Sequence, residues 1–279
     1  MDPEDNVGVP GPYTLWITNY RGIQQARPDW LTRLYGIESL VVYSGTLFMT
    51  AFFDYSVYRC PVNDLEAFTL DTSFQEQANF RFKCGGNGII FCTRENAEPG
   101  GEWLMALDSE TLALKYCFGR WHVSEVQENP FGDMTVHGSE VFVCIRKTVR
   151  VFSTTTGAYL RCITHERLGV LFHIRAVDAR LYMVERQHMA AELFGTPQQY
   201  SRDQNMRGRR VLVFSLDGNL LQNFELFYTN SHPYYRDKTI ECMAVCDDRL
   251  VLYDDTDKIE GEEAAWASPN HQLIRLGGL

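Results

Sequence analysis

The chain has 279 residues, 45% hydrophobic and 22% charged, with a formal net charge of −10 at pH 7. These are ordinary globular proportions at a length that one all-β domain absorbs, and the acidic balance, repelling a phosphodiester backbone, makes nucleic acid an unlikely partner. No run approaches the roughly 18–20 uninterrupted apolar residues that a membrane-crossing helix needs.

In chain order, residues 1–12, MDPEDNVGVPGP, are acidic and rich in Pro and Gly, which predicts a disordered lead-in without the features of a secretory signal. YTLWITN (13–19) alternates like a strand, and 20–37 reads as a loop with a short helix around Pro28–Leu34. A first unit then offers strands at SLVVYS (39–44), TLFMTAFF (46–53), LEAFTLD (65–71) and 74–79. The second unit runs from Phe80 to Phe118, the third from DMTVH (133–137) to Ile163, and the fourth from HIRAVD (173–178) to Leu226. The last holds IECMAVC (240–246), RLVLYDD (249–255) and HQLIRL (271–276) and lacks a fourth strand.

These units repeat. NGIIFCTR with EWLMALDSETLALKYCF, EVFVCIRKTVRVFSTTTGAYLRCI, and RLYMVER with RVLVFSLDGNLLQNF carry one frame, and the dipeptides Ser44-Gly45, Thr156-Gly157, Asp217-Gly218 and Asp247-Asp248 punctuate the strand pairs. Self-similarity at a spacing of about 40–50 residues, with short alternating strands inside each unit, predicts a β-propeller. The expectation is an all-β fold in which residues 13–279 form a single propeller of five four-stranded blades, or six if 20–37 contributes strand. The strand at 13–19 would complete the last blade and close the ring.

The repeat resembles NHL-type and quinoprotein-like propeller blades. MTVHGSEVFVCIR with VRVFSTTTGAYL, and IRAVDARLYMVER with VLVFSLDGNLL, stand for the apolar first strand, the YVAD-like second strand and the VFD-x-x-G-x-x-L ending. The acid that closes the second strand of that pattern is kept as Glu185 and Asp254, with Thr93 and Ile145 elsewhere. Such propellers host enzymes, lectins, RNA binders and scaffolds, so the resemblance implies a fold and no one activity.

With strands A to D in each blade, the short turns fall in A–B and C–D. The long segments fall in B–C loops and blade-to-blade crossings: 54–64, 95–101, 119–132, 187–209, 227–239 and 256–270. Long loops on a rigid scaffold are where binding residues gather. Three candidates follow on this elaborated side. Arg94, Arg146 and Arg186 read as one register at the end of strand B, where guanidinium forks suit carboxylate or phosphate. Trp121, His122, Tyr234, Tyr235 and Trp266 are aromatic anchors of the kind found at protein interfaces. The acidic stretch DDTDKIEGEE (254–263) departs from the EF-hand pattern at Ile259 and Glu260 and reads as a solvated loop.

Catalytic signatures are sparse: the sequence holds no GxSxG, HExxH, GxxxxGK[ST] or GxGxxG. His137 and His173 lie in or beside inner strands and read as hydrogen-bonded core histidines. Of the eight cysteines, Cys92 with Cys144 and Cys117 with Cys162 recur at matching blade positions, which predicts packed free thiols in a reducing, intracellular (cytoplasmic) setting. The function expected is a non-catalytic protein-interaction scaffold or assembly subunit, with no cofactor and no metal, whose partner is another protein. A metal-dependent hydrolase or lactonase-like propeller and a glycan-binding lectin are the alternatives.

Overall fold

The computed structural model describes residues 17–18, 24–26, 37–51, 57–62, 69–70, 80–94, 100–120, 131–169, 171–185, 210–225, 240–246, 249–254 and 271–275. It falls into two compact units, Met1–Glu125 and Val126–Leu279. In the first, Ile17–Thr18 (β1) pairs with Gln24–Ala26 (β2). Ile37–Tyr43 (β3), Thr46–Ala51 (β4), Val57–Pro61 (β5) and Thr69–Leu70 (β6) then form one four-stranded sheet, and Phe80–Gly86 (β7), Ile89–Arg94 (β8), Glu102–Asp108 (β9) and Leu114–Arg120 (β10) a second.

The second unit opens with the sheet of Phe131–His137 (β11), Glu140–Ile145 (β12), Thr148–Ser153 (β13) and Tyr159–Ile163 (β14). Leu171–Val177 (β15), Arg180–Glu185 (β16), Arg210–Ser215 (β17) and Leu220–Glu225 (β18) form the next. Ile240–Cys246 (β19), Arg249–Asp254 (β20) and His271–Arg275 (β21) make a three-stranded sheet. The four complete sheets are antiparallel meanders in chain order, the blade of a β-propeller.

Burial follows strand position. The second strands β8, β12 and β16 are continuous apolar runs, IIFC, VFVCI and LYMV, and are buried on both faces, as a strand covered on each side must be. The outer strands β10 and β14 show mostly exposed residues at their starts. Two apolar clusters result: Phe48, Phe80, Phe82, Ile90 and Met105 in the first unit, and Phe142, Val151, Ile174, Met183 and Phe214 in the second. The outer strands β10, β14 and β18 each carry a register irregularity, which twists an unpaired edge and discourages further strand pairing. Ser44-Gly45, Asn87-Gly88 and Asp178-Ala179 have positive φ at both residues, the geometry of a tight hairpin whose twist matches its strands.

The sequence parse needs correction in four places. The third strand of the first sheet is Val57–Pro61, inside the segment read as an insertion, while Thr69–Leu70 within LEAFTLD is the fourth strand. Arg59 breaks the apolar run of VYRCP, and Pro61 is tolerated because it ends the strand opposite Thr46. Next, Gln24–Ala26 is strand where a loop was expected, and the described part of 13–19 pairs with it; among the described residues the last sheet has three strands. The proposed helix at 28–34 and the strand at 74–79 lie outside the described residues. Third, the strand-B alignment was one residue out. Counted from each A–B turn, Cys92 corresponds to Val143, not Cys144, and Arg94 to Ile145, not Arg146. A one-residue slip sends a side chain to the other face. Fourth, Cys117 and Cys162 do coincide, through Met105 and Arg150, but Cys162 is exposed because its strand is the outermost. Cys60, Cys84, Cys92, Cys117, Cys144 and Cys162 are free thiols.

Candidate functional site

Within each four-stranded sheet the A–B and C–D turns share one end, and the B–C loop and the crossing to the next sheet share the other. The A–B turns have two residues each at 44–45, 87–88, 138–139 and 178–179, whereas the segments 186–209, 226–239 and 255–270 join strands at the opposite ends. Of the eight sequence candidates, Arg94 and Arg146 are described. Trp121, His122, Arg186, Tyr234, Tyr235 and Trp266 lie outside the described residues. Arg94 is the last residue of β8, facing Phe80 across the pair. Arg146 opens the two-residue turn between β12 and β13 with φ 51°, a left-handed conformation that a non-glycine residue adopts at a cost, and its carbonyl accepts the Leu171 N–H at 2.8 Å.

At this loop-bearing end of the second unit, two buried carboxylates enter that sequence reasoning did not select as a site. Glu185, 1% exposed, accepts the Gly169 N–H and so ties down the crossing that leads into β15. Asp133 is also buried. Its Oδ1 accepts the Met134 N–H at 2.9 Å, while Oδ2 accepts the Ile174 N–H at 3.3 Å and bonds the Arg175 guanidinium. His173, expected as a core histidine, places Nδ1 3.4 Å from the same Oδ2. A buried carboxylate needs such partners, since an unpaired charge in the interior is costly. The signal in sequence was Glu185 alone, as the acid of the family pattern.

The hairpin ends hold a second arrangement, again built from residues the sequence did not mark. In the second unit Arg161, on β14, forms a two-pronged ion pair with Glu140, with Nη2 to Oε2 at 2.8 Å. The guanidinium sits 5.7 Å from the Phe142 ring centroid and donates from Nη2 to the Leu216 carbonyl of the next sheet at 3.1 Å. The bond from Arg161 holds the Glu140 carboxyl below its ordinary value and raises the arginine in turn. In the first unit Arg59, on β5, donates to the Glu110 carbonyl at 2.6 Å, also in the C–D turn of the following sheet. Here the surroundings stay open: a cleft of about 440 Å³ is lined by Tyr43, Thr46, Phe48, Arg59, Ser109 and Glu110 among others.

Burial pushes the Cys92 thiol well up, which favours its protonated form. Among the described residues no group of three or more His, Cys, Asp or Glu is placed to hold a metal ion, and no helix is long and apolar enough to cross a membrane.

No family model matches the chain, and no curated protein matches it. Similar solved structures include one from a nidogen/laminin complex, at 10% identity and TM-score 0.49 over 77% of this chain and 68% of that one. The WD40 β-propeller domain of Doa1 gives 9% and 0.48 over 86% and 64%, and the computationally designed Ika8 protein 13% and 0.45 over 77% and 67%. The chain thus spans about two thirds of the length of each. The β-propeller assignment rests on the four-stranded meanders themselves.

Proposed function

We propose that this protein is a non-catalytic β-propeller that acts as a protein-interaction scaffold or assembly subunit, making its contacts at the loop-bearing ends of its blades. The observation that carries this reading is the inequality of the two ends: turns of two to seven residues at one, and at the other, beside the short turn at 146–147, connections such as 186–209 and 255–270. A rigid blade presenting long segments from one end is how binding loops are ordinarily displayed. Arg94, Arg146, Arg186, Trp121, His122, Tyr234, Tyr235 and Trp266 are the proposed contact residues, arginine and aromatics being the usual anchors of such surfaces. The strained turn at Arg146 supports a role there. The net charge of −10 disfavours nucleic acid as the partner.

Affinity capture from the native source, comparing wild type with Arg94, Arg146 and Arg186 all changed to Ala, tests the reading. A partner held stoichiometrically by wild type and weakened by the triple variant, at unchanged thermal stability, is expected. Equal recovery by both proteins removes the arginines from the surface, and a chelator-sensitive hydrolytic activity of the purified chain overturns the scaffold reading itself.

A further inference from the structure

The two units build the same seam with different side chains. Counted from the A–B turns, Thr46 and Phe48 of the first sheet stand where Glu140 and Phe142 stand in the third. Ser109, which opens the C–D turn of the second sheet, stands where Leu216 does in the fourth. In the second unit the seam is sealed. Glu140 clasps the Arg161 guanidinium over Phe142, and Leu216 packs on the cluster. In the first unit a threonine replaces the glutamate and a serine the leucine, and the cleft of about 440 Å³ remains, of the size that ordinary ligand sites have. Its polar groups are of two kinds. Arg59 is committed to the protein, through the Glu110 carbonyl and further contacts, and serves as a fixed wall. The hydroxyls of Ser44, Thr46 and Ser109 and the carboxylate of Glu110 take no partner among the described residues.

We propose that this cleft binds a neutral saccharide. A sugar hydroxyl both donates and accepts, and so do the hydroxyls of Ser44, Thr46 and Ser109, so the cleft offers the mixed donors and acceptors that a ring of hydroxyls needs. The Glu110 carboxylate adds two acceptor oxygens, enough for two vicinal hydroxyls at once. The C–H face of a pyranose needs apolar surface, which Phe48 supplies at the floor and the exposed Pro61 at the rim. Charge selects a neutral ligand. The fixed guanidinium of Arg59 disfavours an ammonium, and Glu110, on a chain of net charge −10, disfavours a phosphate or a carboxylate. No group already bonded within the protein has to be released for the ligand to enter. The site is at the hairpin end, away from the loop-bearing ends, so it stands or falls separately from the scaffold surface proposed above.

The test is titration of the full-length, ¹⁵N-labelled protein with the methyl glycosides of glucose, galactose, mannose and N-acetylglucosamine, and with those of glucosamine and glucuronate as charged counterparts. The backbone amides of Ser44, Ser109 and Glu110 are followed. Saturable binding of at least one neutral glycoside is expected, with both charged ones roughly tenfold or more weaker. Glu110→Gln is expected to weaken binding by a similar factor. Ser109→Leu, which copies Leu216, is expected to abolish it at unchanged or raised Tm, and should Tm fall instead, Glu110→Gln, whose side chain is exposed, decides. A disaccharide ending in the bound sugar identifies the source: tighter binding than the monosaccharide assigns the site to a glycan, equal binding to a free sugar, and either supports the site. No saturable shift with any neutral glycoside, a charged one bound as tightly, or unchanged binding in Glu110→Gln or in a stably folded Ser109→Leu overturns it.

Discussion

The seam between the first two sheets and the seam between the third and fourth solve one problem with opposite chemistry. In both, a side chain on the first strand of one sheet accepts a backbone N–H from the first strand of the next: Ser39 Oγ takes the Phe82 N–H at 2.8 Å, and Asp133 Oδ2 takes that of Ile174 at 3.3 Å. Phe82 and Ile174 are equivalent, each facing the fourth residue of its second strand, Cys92 and Met183. The neutral hydroxyl needs only Thr50 beside it, at 2.7 Å, whereas the carboxylate brings a charge that Arg175 must neutralise. Where Arg175 stands, the first seam has Cys84. A hydroxyl and a carboxylate are thus interchangeable as acceptors only if their neighbours change with them.

The largest effect is expected from exchanging one member alone. Asp133→Ser copies Ser39 but takes the carboxylate away from His173 and from Arg175, which keeps its bond to the Ile174 carbonyl, and a loss of about 2–4 kcal/mol is expected, discounted from the fully buried case because Arg175 is 31% exposed. Adding Arg175→Cys, which copies Cys84, should restore a large part of that loss. Urea unfolding of the single and double variants checks it, and strictly additive losses would break the comparison.

A middle-sized effect concerns how closely the sheets approach. Tyr43 lies against Gly85 so tightly that a Cβ at Gly85 would stand 2.4 Å from Tyr43 Cγ. The third and fourth sheets have His137 and Ala176 at these positions. Gly85→Ala is therefore expected to cost about 1–3 kcal/mol by overpacking. Tyr43→His in the same chain is expected to relieve part of it, although it also gives up the Gly88 N–H to Tyr43 Oη bond of 2.7 Å. A shift in thermal midpoint that is the same in both backgrounds would show that the clash is absorbed elsewhere.

The blades were legible in sequence because their second strands are buried on both faces and their turns demand Gly, Asn or Asp. Ile89–Arg94, Glu140–Ile145 and Arg180–Glu185 could hardly be read otherwise. Val57–Pro61 was missed because an arginine that reaches across a seam looks, in one dimension, like a break in a strand. The paired groups were missed for a related reason. Asp133 with Arg175, and Glu140 with Arg161, lie far apart in sequence and carry no local pattern, so only the fold discloses that each charge has its counterpart. Arg94 and Arg146 misled in the opposite sense, since matching residue types suggested a shared position that strand register denies.

The smallest effect is the most diagnostic of the hairpin-end contrast. Glu140 and Arg161 are 25% and 34% exposed, so their pair contributes at most about 1 kcal/mol, and Glu140→Gln should lose no more than that at pH 7. The carboxyl is depressed below 4.5 in the folded chain by its bonds to Arg161. A depressed acid adds stability that is complete above its unfolded value and disappears as pH falls through the folded one. The difference between wild type and Glu140→Gln should therefore be constant from neutral pH down to the approach to 4.5 and shrink below it. Thr46→Val at the equivalent position of the first sheet removes no titrating group, so its difference from wild type should be flat over the same range. Guanidinium unfolding would mask an ion pair through its salt, so urea titrations at a series of pH values are the measurement. A Glu140→Gln difference as flat as that of Thr46→Val would mean that Arg161 holds the seam through the Leu216 carbonyl and Phe142 alone, and that the two seams differ in packing and not in charge.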